Sequence, residues 1–182
     1  RALIGEPKVL LLDEPLSALD AKLRQHMLIE LDSIHDEVGI TFIYVTHDQQ
    51  EALSVSDRVA IMNDGEVLQI GTPHQIYESP ADSFVASFLG ETNFLRGRVN
   101  QVNEEYAKIE IKELGELFVY LDKPLKINDV VKLTIRPEKI RITKQMPENL
   151  PDKFNVLHGR VDEVIYSGFQ SRRKSLSIDY AG

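Results

Sequence analysis

The chain has 182 residues, enough for one ordinary domain or two small ones, and 42% of them are hydrophobic, enough for packed cores. With 21 basic and 29 acidic side chains its formal charge is −8, which argues against a general nucleic-acid or membrane-surface binder. It has no cysteine, which excludes a disulfide scaffold, a thiolate metal site and a cysteine nucleophile, and no apolar run approaches the roughly 20 residues of a membrane span.

The charge is unevenly placed. Residues 1–92 hold 5 basic and 16 acidic side chains, a balance of −11, whereas residues 93–182 hold 16 and 13, a balance of +3. A shift that large near Gly90 predicts two units, 1–90 and 93–182. In the first, Val9-Leu10-Leu11-Leu12 is a continuous apolar run that reads as a strand buried on both faces, ending in Asp13-Glu14-Pro15. Leu23, Met27, Leu31, Ile34 and Val38 recur at helical spacing, and Gly39 is placed to end that helix. Residues 40–45 form a second buried-type strand, so a parallel strand–helix–strand crossover is the default. Asp48-Gln49-Gln50-Glu51 fits a capping box opening a short helix. Residues 58–62 and 67–70 read as strands joined across Asn63-Asp64-Gly65-Glu66, and Thr72-Pro73 and Ser79-Pro80 each offer a cap with proline at the first helical position. Gly90 is placed to close the second of these helices.

From Asn93 the pattern is all-β. Residues 94–102, 106–111, 117–121, 130–135, 139–143, 159–166 and 175–179 are strand candidates, which predicts a small barrel or sandwich. Residues 145–154, with Pro147 and Pro151, read as the main internal loop.

Two groups of polar residues close the buried strands of the first unit. Asp13 and Glu14 lie at the carboxyl end of one strand and His47 at that of the other, the edge where open α/β sheets bind ligands. Adjacent carboxylates can divide labour, one holding hydrated Mg²⁺ while its neighbour deprotonates a water. A histidine that opens a helix sits where free N–H groups attract a phosphate. Taken singly, each feature has a plainer reading: two acids in a solvated turn, a histidine at a helix boundary, Ser17 and Asp20 as helix-start residues.

The ordered set resembles a known family. Leu10-Leu11-Leu12-Asp13-Glu14-Pro15-Leu16-Ser17-Ala18-Leu19-Asp20 is similar to the Walker B strand and D-loop of ABC transporter ATPases. Thr46-His47-Asp48 resembles their switch-histidine motif, and Ser56-Asp57-Arg58-Val59 and Asn63-Asp64-Gly65 continue the match. The resemblance implies that Asp13 holds Mg²⁺ through water, that Glu14 polarises the attacking water, and that His47 contacts the γ-phosphate of ATP. It further implies that Ser17, Ala18, Leu19 and Asp20 reach across a nucleotide-sandwich dimer.

The second half resembles the accessory TOBE barrel of importer ATPases, through Phe88-Leu89-Gly90 with Asn93-Phe94-Leu95, Arg136-Pro137-Glu138, and Gly159-Arg160-Val161 through Tyr166-Ser167-Gly168. The implied fold is thus α/β, the C-terminal part of a P-loop ABC-ATPase domain, followed by an all-β TOBE or OB-like barrel. The combination is most similar to polyamine (spermidine/putrescine) importers, with sugar, glycerol-phosphate, sulfate and iron importers close by. Implied partners are a second copy of the subunit, the transmembrane permease and, indirectly, a solute receptor, without nucleic acid. With no signal peptide legible, the implied place is the cytoplasmic face of the membrane, peripherally bound.

Two family motifs are absent from the sequence: the phosphate-cradling Gly-x-x-x-x-Gly-Lys-Ser/Thr and the Leu-Ser-Gly-Gly-Gln signature. The expectation is therefore a C-terminal piece of a longer ATPase that by itself does not hydrolyse ATP, with apolar surface left uncovered around residues 10–12 and 40–45. At the other end, Gln170-Ser171-Arg172-Arg173-Lys174 departs from the family pattern and reads as a solvated basic loop. As the chain stands, a non-catalytic binding or dimerisation module built on the barrel is the alternative. An oligonucleotide barrel using Tyr106, Phe118 and Tyr120 for stacking is a third reading, set against cross-strand packing of the same rings.

Overall fold

The computed structural model describes residues 2–112, 114–146, 153–166 and 171–177, with residues 2, 162–166 and 171–177 described by backbone alone. The loop prolines Pro147 and Pro151, Ser167-Gly168, Gln170 and the strand end expected at Asp179 lie outside the described residues. The chain divides into two units, Arg1–Glu91 and Thr92–Gly182. Among the described residues no helix is long and apolar enough to cross a membrane.

In the first unit, β1 (Val9–Asp13) and β2 (Thr41–Val45) pair in parallel, Val9 opposite Thr41 and Asp13 opposite Val45. The crossover between them is α1 (Ala21–Val38), which Asp20 opens by accepting from the Lys22 and Leu23 N–H groups and Gly39 closes in a left-handed conformation at φ 66°. Both strands were expected to be buried on two faces. The structure corrects this: burial alternates, and Val9, Leu11, Ile43 and Val45 are exposed on one face while Leu10, Leu12, Phe42 and Tyr44 are partly covered. A parallel sheet needs layers on both faces, and α1 is a single layer. The helix face is corrected as well. Leu28 is buried beside half-buried Met27, Leu31 and Ile34, while Leu23 and Val38 are exposed, so the packed stripe is rotated by one residue.

Helix α2 (Gln49–Val55) follows Asp48, whose carboxylate caps it. Next, β3 (Val59–Asn63) and β4 (Glu66–Gly71) form the expected hairpin; Asp64 and Gly65 both have positive φ, 48° and 81°, the backbone twist that a two-residue turn requires. Thr72 and Gln75 complete a capping box at the start of α3 (Pro73–Glu78). The expected helix start at Ser79-Pro80 is wrong. Ser79 closes α3, and α4 (Ser83–Phe88) starts from Asp82 and is capped at its end by Leu89 rather than Gly90. The side-chain amide of Gln69 holds the intervening loop, donating to the Ser79 carbonyl and accepting from the Ala81 N–H. Val59, Ile61, Ile76, Val85 and Leu89 form the core of this region.

The second unit is all-β but does not close into a barrel among the described residues. Its strands β5 (Asn93–Val102), β6 (Tyr106–Ile111), β7 (Gly115–Tyr120) and β8 (Val130–Ile135) form one antiparallel sheet in the order β7-β6-β5-β8. A separate hairpin pairs β9 (Arg160–Tyr166) with β10 (Ser171–Ser177). The strand expected at residues 139–143 is absent; a short 3₁₀ turn, Pro137–Lys139, and irregular chain stand there, as Pro137 at the first turn position favours. The inward faces of β5 and β6 supply Val99, Ala107, Ile109 and Ile111 to the core, with Leu117 from β7. At Gly97 the backbone of β6 comes so close that a Cβ would lie 2.5 Å from Ile109 Cγ2 and 2.8 Å from the Glu110 carbonyl. Tyr106 and Tyr120, opposite one another, meet edge to face at 5.9 Å, and Lys108 lies over Phe118. The candidate stacking rings thus make cross-strand contacts.

Candidate functional site

The sheet formed by β1 and β2 ends in two short loops at one rim. The first begins with Glu14, held in the left-handed region at φ 44°, a conformation costly for a residue with a Cβ and common at functional sites. Backbone bonds hold it there: the Glu14 N–H donates to the Val45 carbonyl at 2.8 Å, and the Glu14 carbonyl accepts from the Ser17 N–H at 3.2 Å and Oγ at 2.9 Å. Leu16 is buried beneath this turn, and the Leu19 N–H donates to the Leu16 carbonyl. Asp13 is the last ladder residue, opposite Val45.

The second loop carries His47. Its Nδ1 lies 3.1 Å from Glu14 Oε1, so the two are joined directly across the rim. His47 is 75% exposed and Glu14 47%, which leaves both side chains open to a ligand. Of the residues singled out from sequence, Glu14 and His47 are in contact, Asp13 is on the same rim, and Ser17 packs back on Glu14. Asp20 is turned to capping α1, and Ala18 and Leu19 lie in the turn between.

Beneath His47 lies a polar network that pattern reading missed. The capping box expected at Asp48–Glu51 is half made: Asp48 Oδ1 accepts from the Gln50 and Glu51 N–H groups, but Glu51 does not reach back. Instead the buried Glu51 carboxylate accepts from Thr46 Oγ1 at 2.7 Å and the Tyr44 hydroxyl at 2.9 Å, with Arg24 Nε at 3.4 Å. Thr46 takes the place Glu51 leaves, accepting from the Asp48 N–H at 2.9 Å. Burial, and then the bond to Glu51, pushes the Tyr44 phenol well above the usual tyrosine range, so it remains a donor. Arg24 also binds Asp48 at 3.0 Å. The signal that could have found these residues is a charge at a core-facing helix position: Arg24 falls on the packed stripe of α1. A cavity of about 10 Å³, room for about one water, lies among these groups beside Glu14 and His47.

Chemically, the rim presents the Glu14 carboxylate beside a water-sized space and the His47 imidazole in contact with that carboxylate, with Asp13 at the end of the same strand. Among the described residues no three histidine, aspartate or glutamate side chains gather as a closed metal site.

Comparison with known proteins gives two findings. The TOBE domain family matches residues 133–173. Over nearly its whole length the chain is similar to spermidine/putrescine import ATP-binding proteins (PotA). It is 62% identical over 173 residues to that of Fusobacterium nucleatum and 58% over 172 residues to that of Thermotoga maritima, in each case covering 94% of this chain. It is 55% identical over 178 residues to that of Treponema pallidum. The chain spans about half the length of these relatives, 46% of the first two.

Proposed function

We propose that this chain is part of an ABC importer ATP-binding subunit that carries a TOBE domain, as its likeness to the spermidine/putrescine import ATP-binding proteins and the TOBE match support, and that its first unit supplies the water-activating side of an ATP site. The whole subunit would couple ATP hydrolysis to polyamine uptake. The supporting observation is the 3.1 Å contact between Glu14 and His47 at the shared rim of β1 and β2. Glu14 acts as the general base that orients and deprotonates the attacking water, and His47 reads the γ-phosphate and holds the Glu14 carboxylate in line. Asp13 would hold Mg²⁺ through water; when bound, the ion supplies positive charge to the phosphate oxygens. The phosphate cradle is not part of these 182 residues, so the site needs polypeptide of the kind that makes up the rest of the relatives' length.

Residues 17–20 face a second copy of the subunit, whose association with the first is governed by ATP. The assembled pair acts on membrane permease subunits, and through them on a solute receptor, from the cytoplasmic face. Residues 1–90 on this reading are the C-terminal part of a P-loop ATPase domain, and residues 93–182 its accessory unit.

The test is a chimera in which this chain replaces the matched segment of the Fusobacterium nucleatum relative. Glu14→Gln there keeps ATP binding and lowers turnover by about 10²–10⁴-fold, the usual worth of a general base. Near-normal hydrolysis by that variant refutes the assignment.

A further inference from the structure

Resting on the catalytic reading of Glu14 and His47, we propose that Arg24 is a positioning residue that locks the loop after β1 to the loop after β2. The bond between Glu14 and His47 joins two side chains that are 47% and 75% exposed, and an exposed pair has little hold on its own geometry. What fixes it is the backbone on each side.

On the β1 side, the turn from Glu14 is pinned through Ser17 and Leu16 to Leu19. On the β2 side, His47 stands between Thr46 and Asp48, which bond to each other and, through Thr46, to Glu51. Arg24 is the side chain that grips both. Its Nη2 donates to the Leu19 carbonyl at 3.0 Å, its Nη1 to Asp48 Oδ2 at 3.0 Å, and its Nε lies 3.4 Å from Glu51 Oε1. Hydrogen bonds and chain neighbours together close a circuit: Ser17 bonds Glu14, Leu19 bonds Leu16 next to Ser17, Arg24 bonds Leu19 and Asp48, and His47, next to Asp48, returns to Glu14.

A planar guanidinium holds its donors in a rigid fork that reaches acceptors on two sides at once, whereas the donors of a lysine ammonium radiate from one atom on a flexible stem and do not hold the Leu19 carbonyl and Asp48 at a fixed separation. Arg24 sits within the first turns of α1, a rigid element whose own cap, Asp20, ends the first loop. The helix thereby fixes the spacing of the two loops.

Two measurements test this. In amide spectra of the 182-residue chain, Arg24→Gln and Arg24→Lys shift the signals of Leu19 and Asp20 together with those of residues 46–51, and leave those of β5 to β8 in place. Changes confined to α1 overturn the proposal. In the chimera described above, both variants lower kcat by about 10- to 100-fold with KM for Mg-ATP within about twofold, because misplacement by about 1 Å is enough to cost that much. Lysine, which keeps the charge and the aliphatic stem and so guards against mere unfolding, does not rescue. An unchanged kcat, or a loss expressed only in KM, overturns the positioning role. If Glu14→Gln abolishes turnover while Arg24→Gln turns over normally, the positioning role fails alone; if Glu14→Gln turns over normally, the catalytic reading itself fails.

Discussion

The most demanding test of the rim's architecture is Glu51→Gln, which keeps the shape of a buried side chain and removes its charge. Glu51 is 3% exposed, and one of its oxygens accepts from both Tyr44 and Thr46. Hydrogen bonds to a charged acceptor contribute about 1.5–3 kcal/mol and neutral ones about 0.5–1.5 kcal/mol, so neutralisation weakens each by about 1 kcal/mol. Arg24 keeps Asp48 as a partner and is 28% exposed, so the lost ion pair adds no more than about 1 kcal/mol. The expected loss is about 2–3 kcal/mol, read as a lower urea midpoint of the first unit with an unchanged slope.

The same substitution has a second readout at Tyr44. Its raised pKa arises first from burial and then from the hydrogen bond and charge of Glu51. A phenol whose folded pKa is raised binds its proton more tightly when folded. Its stabilising effect is full below the ordinary tyrosine value of about 10 and is lost as pH rises beyond it. In the native chain Tyr44 therefore resists ionisation in an ultraviolet titration, and in Glu51→Gln its ionisation moves back toward the ordinary tyrosine range while burial still holds it up. An unchanged midpoint together with an unchanged titration curve refutes the network as described.

Two further substitutions probe the sheets. Gly97→Ala places a methyl against Ile109 and the immovable Glu110 carbonyl; overpacking of about 1–3 kcal/mol exceeds the gain of at most about 1 kcal/mol from a stiffer unfolded chain, so the second unit loses stability in chemical denaturation, and a stabilised variant contradicts the close approach. Leu11→Lys puts a charge on the uncovered face of β1, where Leu11 is 64% exposed beside Ile43. It changes stability by about 0.5 kcal/mol or less and reduces the scattering mass of a self-associating sample, whereas a loss above about 2 kcal/mol means that the face is covered.

Much of the local structure was legible. The helix Ala21–Val38 follows from its periodic apolar residues and from Gly39, and the hairpin at Asp64-Gly65 from a dipeptide that tolerates positive φ. The site was legible only as an order of residue types along the chain: acids after one apolar run, histidine after another. The errors share a cause. Ser79-Pro80 carries the same cap signal as Thr72-Pro73, but Gln69, ten residues earlier, ties that segment to β4 and delays the helix to Asp82. Residues 139–143 alternate like a strand, yet a strand exists only where a neighbour accepts its ladder.

By itself, then, the order of residues determined where the chain turns and which polar groups end its apolar runs, because caps, turn residues and periodicity act over a few positions. Only the tertiary structure decided that Glu14 and His47 touch, that Glu51 leaves its cap to bind Tyr44 and Thr46, and that Arg24 bridges both loops. Those contacts join residues up to 33 positions apart. They depend on the parallel register of β1 against β2, which sets two loop ends side by side and is written in no single stretch of the sequence.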